Sequence, residues 1–124
     1  PTFQTNADVG VLSSGIILGS GLTAPTPSDF VIQTLIANGV GAGQLSYQQQ
    51  TGSQGVQIAG ANTSFIMQRL FANLSGGVVN VNELAIYTLT GGNSFLIYRD
   101  VLPSTDIIPI GGTYRVSITF QITT

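Results

Sequence analysis

The chain has 124 residues, enough for one domain with one core, and contains neither cysteine nor histidine; this removes disulfides, thiolate metal sites, the usual general base and the commonest metal ligand. Its charge consists of Arg69, Arg99, Arg115, Asp8, Asp29, Glu83, Asp100 and Asp106, 6% of the residues with no lysine, against about 25% in ordinary soluble domains. Three arginines make no basic patch for nucleic acid, and no apolar run reaches the length of a membrane-spanning helix.

Charge normally keeps diffusing molecules apart, so a surface this poor in it is expected to be covered by neighbouring subunits. The alternative is a monomer solubilised by its many Ser, Thr, Asn and Gln. The sequence opens at Pro1 without Met or a leader pattern, so a leader or pro-segment is expected to have been removed, or the first residues lie outside it.

Residues 1–15 show no clear alternation. Phe3, Val9, Val11 and Leu12 are scattered among Thr, Gln, Asn and Asp. Such a stretch buries too little in its own subunit to offset an ordering entropy of roughly 1–2 kcal/mol per residue. It reads as a flexible N-terminal arm, either an assembly arm anchored by Phe3 or a frayed end. Gly19-Ser20-Gly21 and Gly39-Val40-Gly41-Ala42-Gly43 are loops; neither has the strand–loop–helix setting or the lysine of a phosphate loop.

Ala24-Pro25-Thr26-Pro27 is a stiff extended connector. Ser28 to Ala37 is ambiguous. Ser28 or Asp29 can cap a helix whose apolar face is Phe30, Val31, Ile32, Leu35 and Ile36, and a short helix or turn is expected, although the β-branched residues argue for strand. Gln44–Gln48 and Gln54–Ala59 read as short strands around the polar loop Gln48–Ser53.

Thr63–Asn73 is a strand with Phe65, Met67 and Phe71 on one parity and Ile66 and Leu70 on the other, which suggests a central position or a buried outer face. Ser75-Gly76-Gly77 makes a turn. Val78–Leu89 and Ser94–Leu102 form a hairpin around Thr90-Gly91-Gly92-Asn93, since Gly-Gly supplies the positive φ angles of a tight turn. This places Glu83 close to Arg99, expected as a partly buried cross-strand pair and not as a catalytic acid.

Asp100 and Asp106 flank a proline turn but lack a Ca²⁺-loop pattern. Asn62-Thr63-Ser64 and Asn73-Leu74-Ser75 fit the short N-glycosylation pattern. In the last segment Tyr114, Val116, Ile118, Phe120 and Ile122 alternate with polar residues, a half-buried strand. The expected fold is all-β: residues 16–124 form a single-domain β-sandwich of about seven or eight short antiparallel strands, jelly-roll or immunoglobulin-like. No catalytic residue, cofactor or metal is expected.

Over nearly its whole length the chain resembles small virion structural proteins of tailed bacteriophages, of tail, tail-fibre-like or capsid-associated type. The resemblance is carried by Gly19-Ser20-Gly21-Leu22-Thr23-Ala24-Pro25 with Ser28-Asp29-Phe30, by Gly43-Gln44-Leu45-Ser46-Tyr47, and by Phe65 to Arg69 followed by Asn73 to Gly77. Its most specific part is Val81-Asn82-Glu83-Leu84-Ala85-Ile86-Tyr87, then Arg99-Asp100-Val101, then Gly111-Gly112 and the terminal strand. The family usually has Gly where this chain has Ala85, a departure that bears on the local backbone, such as a bulge, and not on the role. The resemblance implies a virion component whose partners are other copies of itself and other virion proteins, with a host surface glycan as a further candidate. Two other classes share parts of the composition: a subunit of a cell-surface filament or pilus, and a carbohydrate-binding β-sandwich. Against the latter, Trp is absent, and Tyr47, Tyr87, Tyr98 and Tyr114 mostly sit in strand patterns that suggest packing.

Overall fold

The computed structural model describes residues 7–51, 57–59 and 62–123. Among them are seven strands and no helix: β1 Gly15–Gly19, β2 Ser46–Tyr47, β3 Gln57–Ala59, β4 Asn62–Ala72, β5 Val79–Thr90, β6 Asn93–Ile108 and β7 Thr113–Thr123. No helix long and apolar enough to cross a membrane occurs among these residues. The strands form two antiparallel sheets. In the first, β5 lies between β1 and β6; in the second, β4 lies between β7 on one side and β2 and β3, end to end, on the other. The last four strands run for 11, 12, 16 and 11 residues, longer than the short strands expected.

β4 obeys the period of two that a half-buried strand requires. Met67, Arg69 and Phe71 are buried on one face, while Ile66 and Leu70 are exposed on the other. β7 does the same, with Val116 buried and Arg115, Ser117 and Thr119 exposed. Ile16, Leu18, Val81 and Ile86 from the first sheet join Tyr47, Met67, Phe71 and Val116 from the second in one apolar cluster. The Tyr47 and Phe71 rings meet edge-on with centroids 4.9 Å apart, a favoured aromatic geometry.

The β5–β6 hairpin turns at Gly91 (φ 57°) and Gly92 (φ 82°), values that favour glycine. β6 is longer than β5 because it bulges twice. Ile97 is extra between the pairs Ile86–Tyr98 and Tyr87–Leu96, and Leu102 to Thr105 stand opposite Asn82 alone. Ala85 sits between these irregularities in regular pairing with Ile17 and Arg99, so there is no bulge at the residue where the resembling proteins carry glycine.

The chain changes sheets between β1 and β2, between β4 and β5 and between β6 and β7, and Asn73 holds the last two crossings. Its N–H donates to Gly112 O and its carbonyl accepts from Gly111 N. Its side-chain Nδ2 donates to Gly77 O and Ile108 O, each at 2.9 Å, and Oδ1 accepts from the N–H and hydroxyl of Ser75. With the residue fully buried, this amide is committed internally and offers no glycan attachment point, whatever the Asn73-Leu74-Ser75 pattern suggests.

The stretch 28–37 contains no helix. A helix needs each N–H to reach the carbonyl four residues earlier. Here Ile32 N donates to the Tyr87 hydroxyl, and the N–H groups of Gln33 and Thr34 donate to Glu83. The apolar residues divide accordingly: Ile32 and Ile36 are buried, while Phe30, Val31 and Leu35 face outward.

Candidate functional site

Glu83 lies in the middle of β5 and is fully buried. Oε2 accepts from Gly21 N (2.5 Å) and Thr34 N (2.9 Å); Oε1 accepts from Gln33 N (2.9 Å) and Arg99 Nε (3.0 Å). Arg99, on the neighbouring strand, donates from Nη1 to Asp29 Oδ2 (3.0 Å) and from Nη2 to Thr23 O (2.7 Å). Asp29 in turn accepts from the N–H and hydroxyl of Thr26. These bonds hold the Asp29 carboxyl below its ordinary value, Thr26 contributing most and Arg99 adding to it. Burial pushes the Arg99 guanidinium down, but its bonds to Glu83 and Asp29 outweigh this and hold it above the usual value.

The cluster fixes the loop from Ser20 to Thr34. Asn82 Nδ2 adds a bond to Ser20 O, and the Tyr87 hydroxyl receives Ile32 N. Asn82, Glu83 and Arg99 therefore grip the Gly19–Phe30 block and Tyr87 the residue Ile32 just beyond it, so two stretches of the sequence motif far apart in the chain form one physical device. The glycines of that block are needed for close approach. A Cβ on Gly19 would lie 2.6 Å from Glu83 Cγ and from Thr34 O, and one on Gly21 would overlap Glu83 Oε2.

A second centre is built on Arg69, which is 1% exposed. Nε donates to Gln48 O (2.8 Å), Nη1 to Ile16 O (3.1 Å), and Nη2 to Asp8 O (3.0 Å) and Val11 O (2.8 Å). Its Cζ stands 4.9 Å from the centre of the Tyr47 ring, within cation–π range. Burial lowers the Arg69 guanidinium to about 10, opposed by Tyr47. Gln50 N also donates to Ala7 O, and Gly10 N to Tyr47 O.

The arm expected over 1–15 therefore divides. Phe3 lies outside the described residues. Residues 7–14 are bound to their own core, because Arg69 collects their carbonyls, and Gly15 already belongs to β1. Val9 is exposed, Val11 is partly buried, and Leu12 packs against the core cluster. Arg69 shares its parity with Met67 and Phe71; a cation on the buried face of a strand was the available signal for this centre.

The structure brings Glu83 and Arg99 together, but with four donors on its two oxygens and no contact with solvent, Glu83 is committed to holding the loop. A shallow groove of about 290 Å³ beside it is lined by Pro25, Pro27, Asp29, Leu96, Tyr98 and Arg99, among others, and the charges there already bond each other. The Gly39–Gly43 loop is closed by its own Gln44, whose Oε1 accepts from Gly41 N. Asp100 accepts from the Tyr98 hydroxyl and Asp106 from the Tyr114 hydroxyl. Among the described residues no three metal-ligating side chains converge. No family model, curated protein or solved structure matches the chain.

Proposed function

We propose that the chain is a non-enzymatic structural subunit of a virus particle, either capsid-associated or a tail component, that self-assembles or docks on the virion, and that its two sheets form a β-sandwich of jelly-roll or immunoglobulin-like type. The observation that carries the proposal is the loop 20–34. A fully buried carboxylate, two further charged groups and a tyrosine hydroxyl fix this loop, which nevertheless holds Leu22 (70% exposed), Phe30 (78%) and Val31 (54%) out to solvent. Holding large apolar side chains rigidly in water is unfavourable for an isolated monomer and is the mark of a contact surface. The few charges on the chain give neighbouring copies little mutual repulsion. The resemblance of the loop and its anchoring motif to phage virion proteins supplies the kind of particle.

Sedimentation of the purified chain at micromolar concentration, with electron microscopy of particles labelled by an antibody to it, tests the proposal. The expected result is association of the chain or labelling of particles, weakened in Phe30→Asp. A clean monomer that labels no particle overturns it.

A further inference from the structure

Among the described residues, the sheet edges at β1, β2 and β6 are capped or interrupted by the chain itself. Along β1, Ile16 N donates to Gln50 Oε1 and Leu18 N to the Tyr47 hydroxyl, while Ile36 N and Arg69 Nη1 donate to the carbonyls of Leu18 and Ile16. At β2, Tyr47 N donates to Asn38 Oδ1 and Tyr47 O accepts from Gly10 N, and this side of its sheet is broken between β2 and β3. β6 is interrupted by the Ile97 bulge and by the excursion containing Pro103. Capping side chains, bulges and proline are the devices that stop edges from pairing.

β7 has none of them. It pairs with β4 through eleven residues without a register shift, contains no Pro, Gly or carboxylate, and carries Arg115 as its one charge. Among the described residues nothing pairs with its other side. The direction of its backbone groups follows from β4. Gln68 exchanges both backbone bonds with Thr51, and Leu70 O accepts from Gln48 N, so even-numbered β4 residues point away from β7 and odd-numbered ones toward it. Because Met67, Arg69 and Phe71 pair with Ile118, Val116 and Tyr114, those three β7 residues bond to β4. Arg115, Ser117, Thr119 and Gln121 turn their N–H and C=O groups to the open edge.

We infer that this edge is an interface at which β7 pairs antiparallel with β7 of a second copy; the inference rests on the self-association proposed above. A twofold axis at Ile118 overlaps the full strand. Isologous pairing of this kind is the commonest way identical subunits meet. It sets Ser117 opposite Thr119 and Arg115 opposite Gln121 of the other copy, with about eight backbone bonds at the outward-pointing pairs. The strand is self-complementary in charge: the two Arg115 side chains stand about 20 Å apart along the sheet, well beyond the screening length of about 8 Å at physiological salt. The two copies' sheets become one continuous sheet six strands wide.

Sedimentation equilibrium of the full chain at micromolar concentration, compared with Ser117→Pro and Thr119→Lys, tests the inference. Ser117→Pro deletes an outward N–H and leaves the bonds to β4 intact, the setting in which an edge tolerates proline; Thr119→Lys places a guarding charge on the edge strand. The parent chain is expected to associate, and both variants to shift toward the 12.9 kDa monomer with a Kd raised about tenfold or more, equivalent to 1.4 kcal/mol. If Ser117→Pro does not fold, Thr119→Lys decides alone. Variants that associate as tightly as the parent overturn the interface while self-association stands; a parent chain that is itself monomeric overturns both.

Discussion

Replacing Glu83 with Gln keeps the shape of the side chain and removes one acceptor oxygen. No orientation of the amide avoids the loss. With its nitrogen at the Oε2 position it faces the N–H groups of Gly21 and Thr34; at Oε1 it faces Gln33 N and Arg99 Nε. Two donors then lose their acceptor at a fully buried site, and Arg99 keeps Asp29 as its only carboxylate partner. Removing one member of a buried ion pair costs about 3–5 kcal/mol, and each lost bond to a charged group falls within about 1.5–3 kcal/mol. A total loss of about 3–5 kcal/mol is expected. Unfolding entropy of roughly 2.1 cal/mol/K per residue makes this about 12–20 °C in Tm for a chain of this size. Urea denaturation measures the free energy, and hydrogen exchange at Gly21, Gln33 and Thr34 reports whether the loss is centred on the loop. A loss below about 1 kcal/mol with unchanged protection at those three amides would show that the carboxylate does not hold the loop.

Two further outcomes follow from the same geometry. Gly21→Ala drives a Cβ into Glu83 and Gln33, and the expected loss is about 1–3 kcal/mol by urea denaturation. Gly76→Ala, where nothing lies within 4 Å, should stay within about 0.5 kcal/mol, and equal losses at the two sites would refute the crowding. Burial pushes the Tyr47 phenol up to about 12 from 10, so the native state keeps this proton where the unfolded chain releases it. The associated stability is complete below pH 10 and is lost as pH rises toward 12, up to about 3 kcal/mol. Tyrosinate absorbance should show a late component missing in Tyr47→Phe; superimposable titrations of parent and variant would count against it.

What could be read from the sequence was local. β7 was legible because Tyr114, Val116 and Ile118 alternate with Arg115, Ser117 and Thr119, and a strand with one face in the core has no other way to sort them. The β5–β6 hairpin was legible because Gly91-Gly92 satisfies a turn that other residues strain. The stretch from Ser28 to Ala37 was not, since its amides are captured by Glu83 and Tyr87, about fifty residues along the chain. Local propensity carries no record of such a partner. The docking of residues 7–14 was not legible for the same reason: Arg69 takes the Asp8 carbonyl across a separation of 61 residues, and polar-looking residues are thereby held through their backbone, where side-chain patterning is silent. The Glu83–Arg99 pair lay between these cases. Hairpin register placed the two residues near each other, but their shared purpose, the loop containing Asp29 and Thr23, depends on contacts that cross from one end of the sequence to the other.

The scarcity of charge has a sharper meaning once positions are known. Arg69 and Arg99 are both buried; Arg69 gathers the Asp8 and Val11 carbonyls and Arg99 takes that of Thr23, all from segments without regular structure to satisfy them. Glu83 does the converse for backbone N–H groups. Three of the eight charged residues thus replace secondary structure in the loops, and their substitution by apolar groups would leave buried polar backbone unpaired. This leaves Arg115 as the one exposed arginine, on the outward face of β7. A surface with so little charge neither steers nor repels an approaching copy over distance. Specificity in any association must then come from short-range features: the register of backbone donors and acceptors along an open edge, and the shape of apolar side chains such as Phe30 on a loop held still from below. A fold that fixes its loops with buried ions and, among the described residues, caps or interrupts its edges at β1, β2 and β6 narrows the ways in which copies can meet, and this narrowing does for partner choice what a charged surface does in ordinary soluble domains.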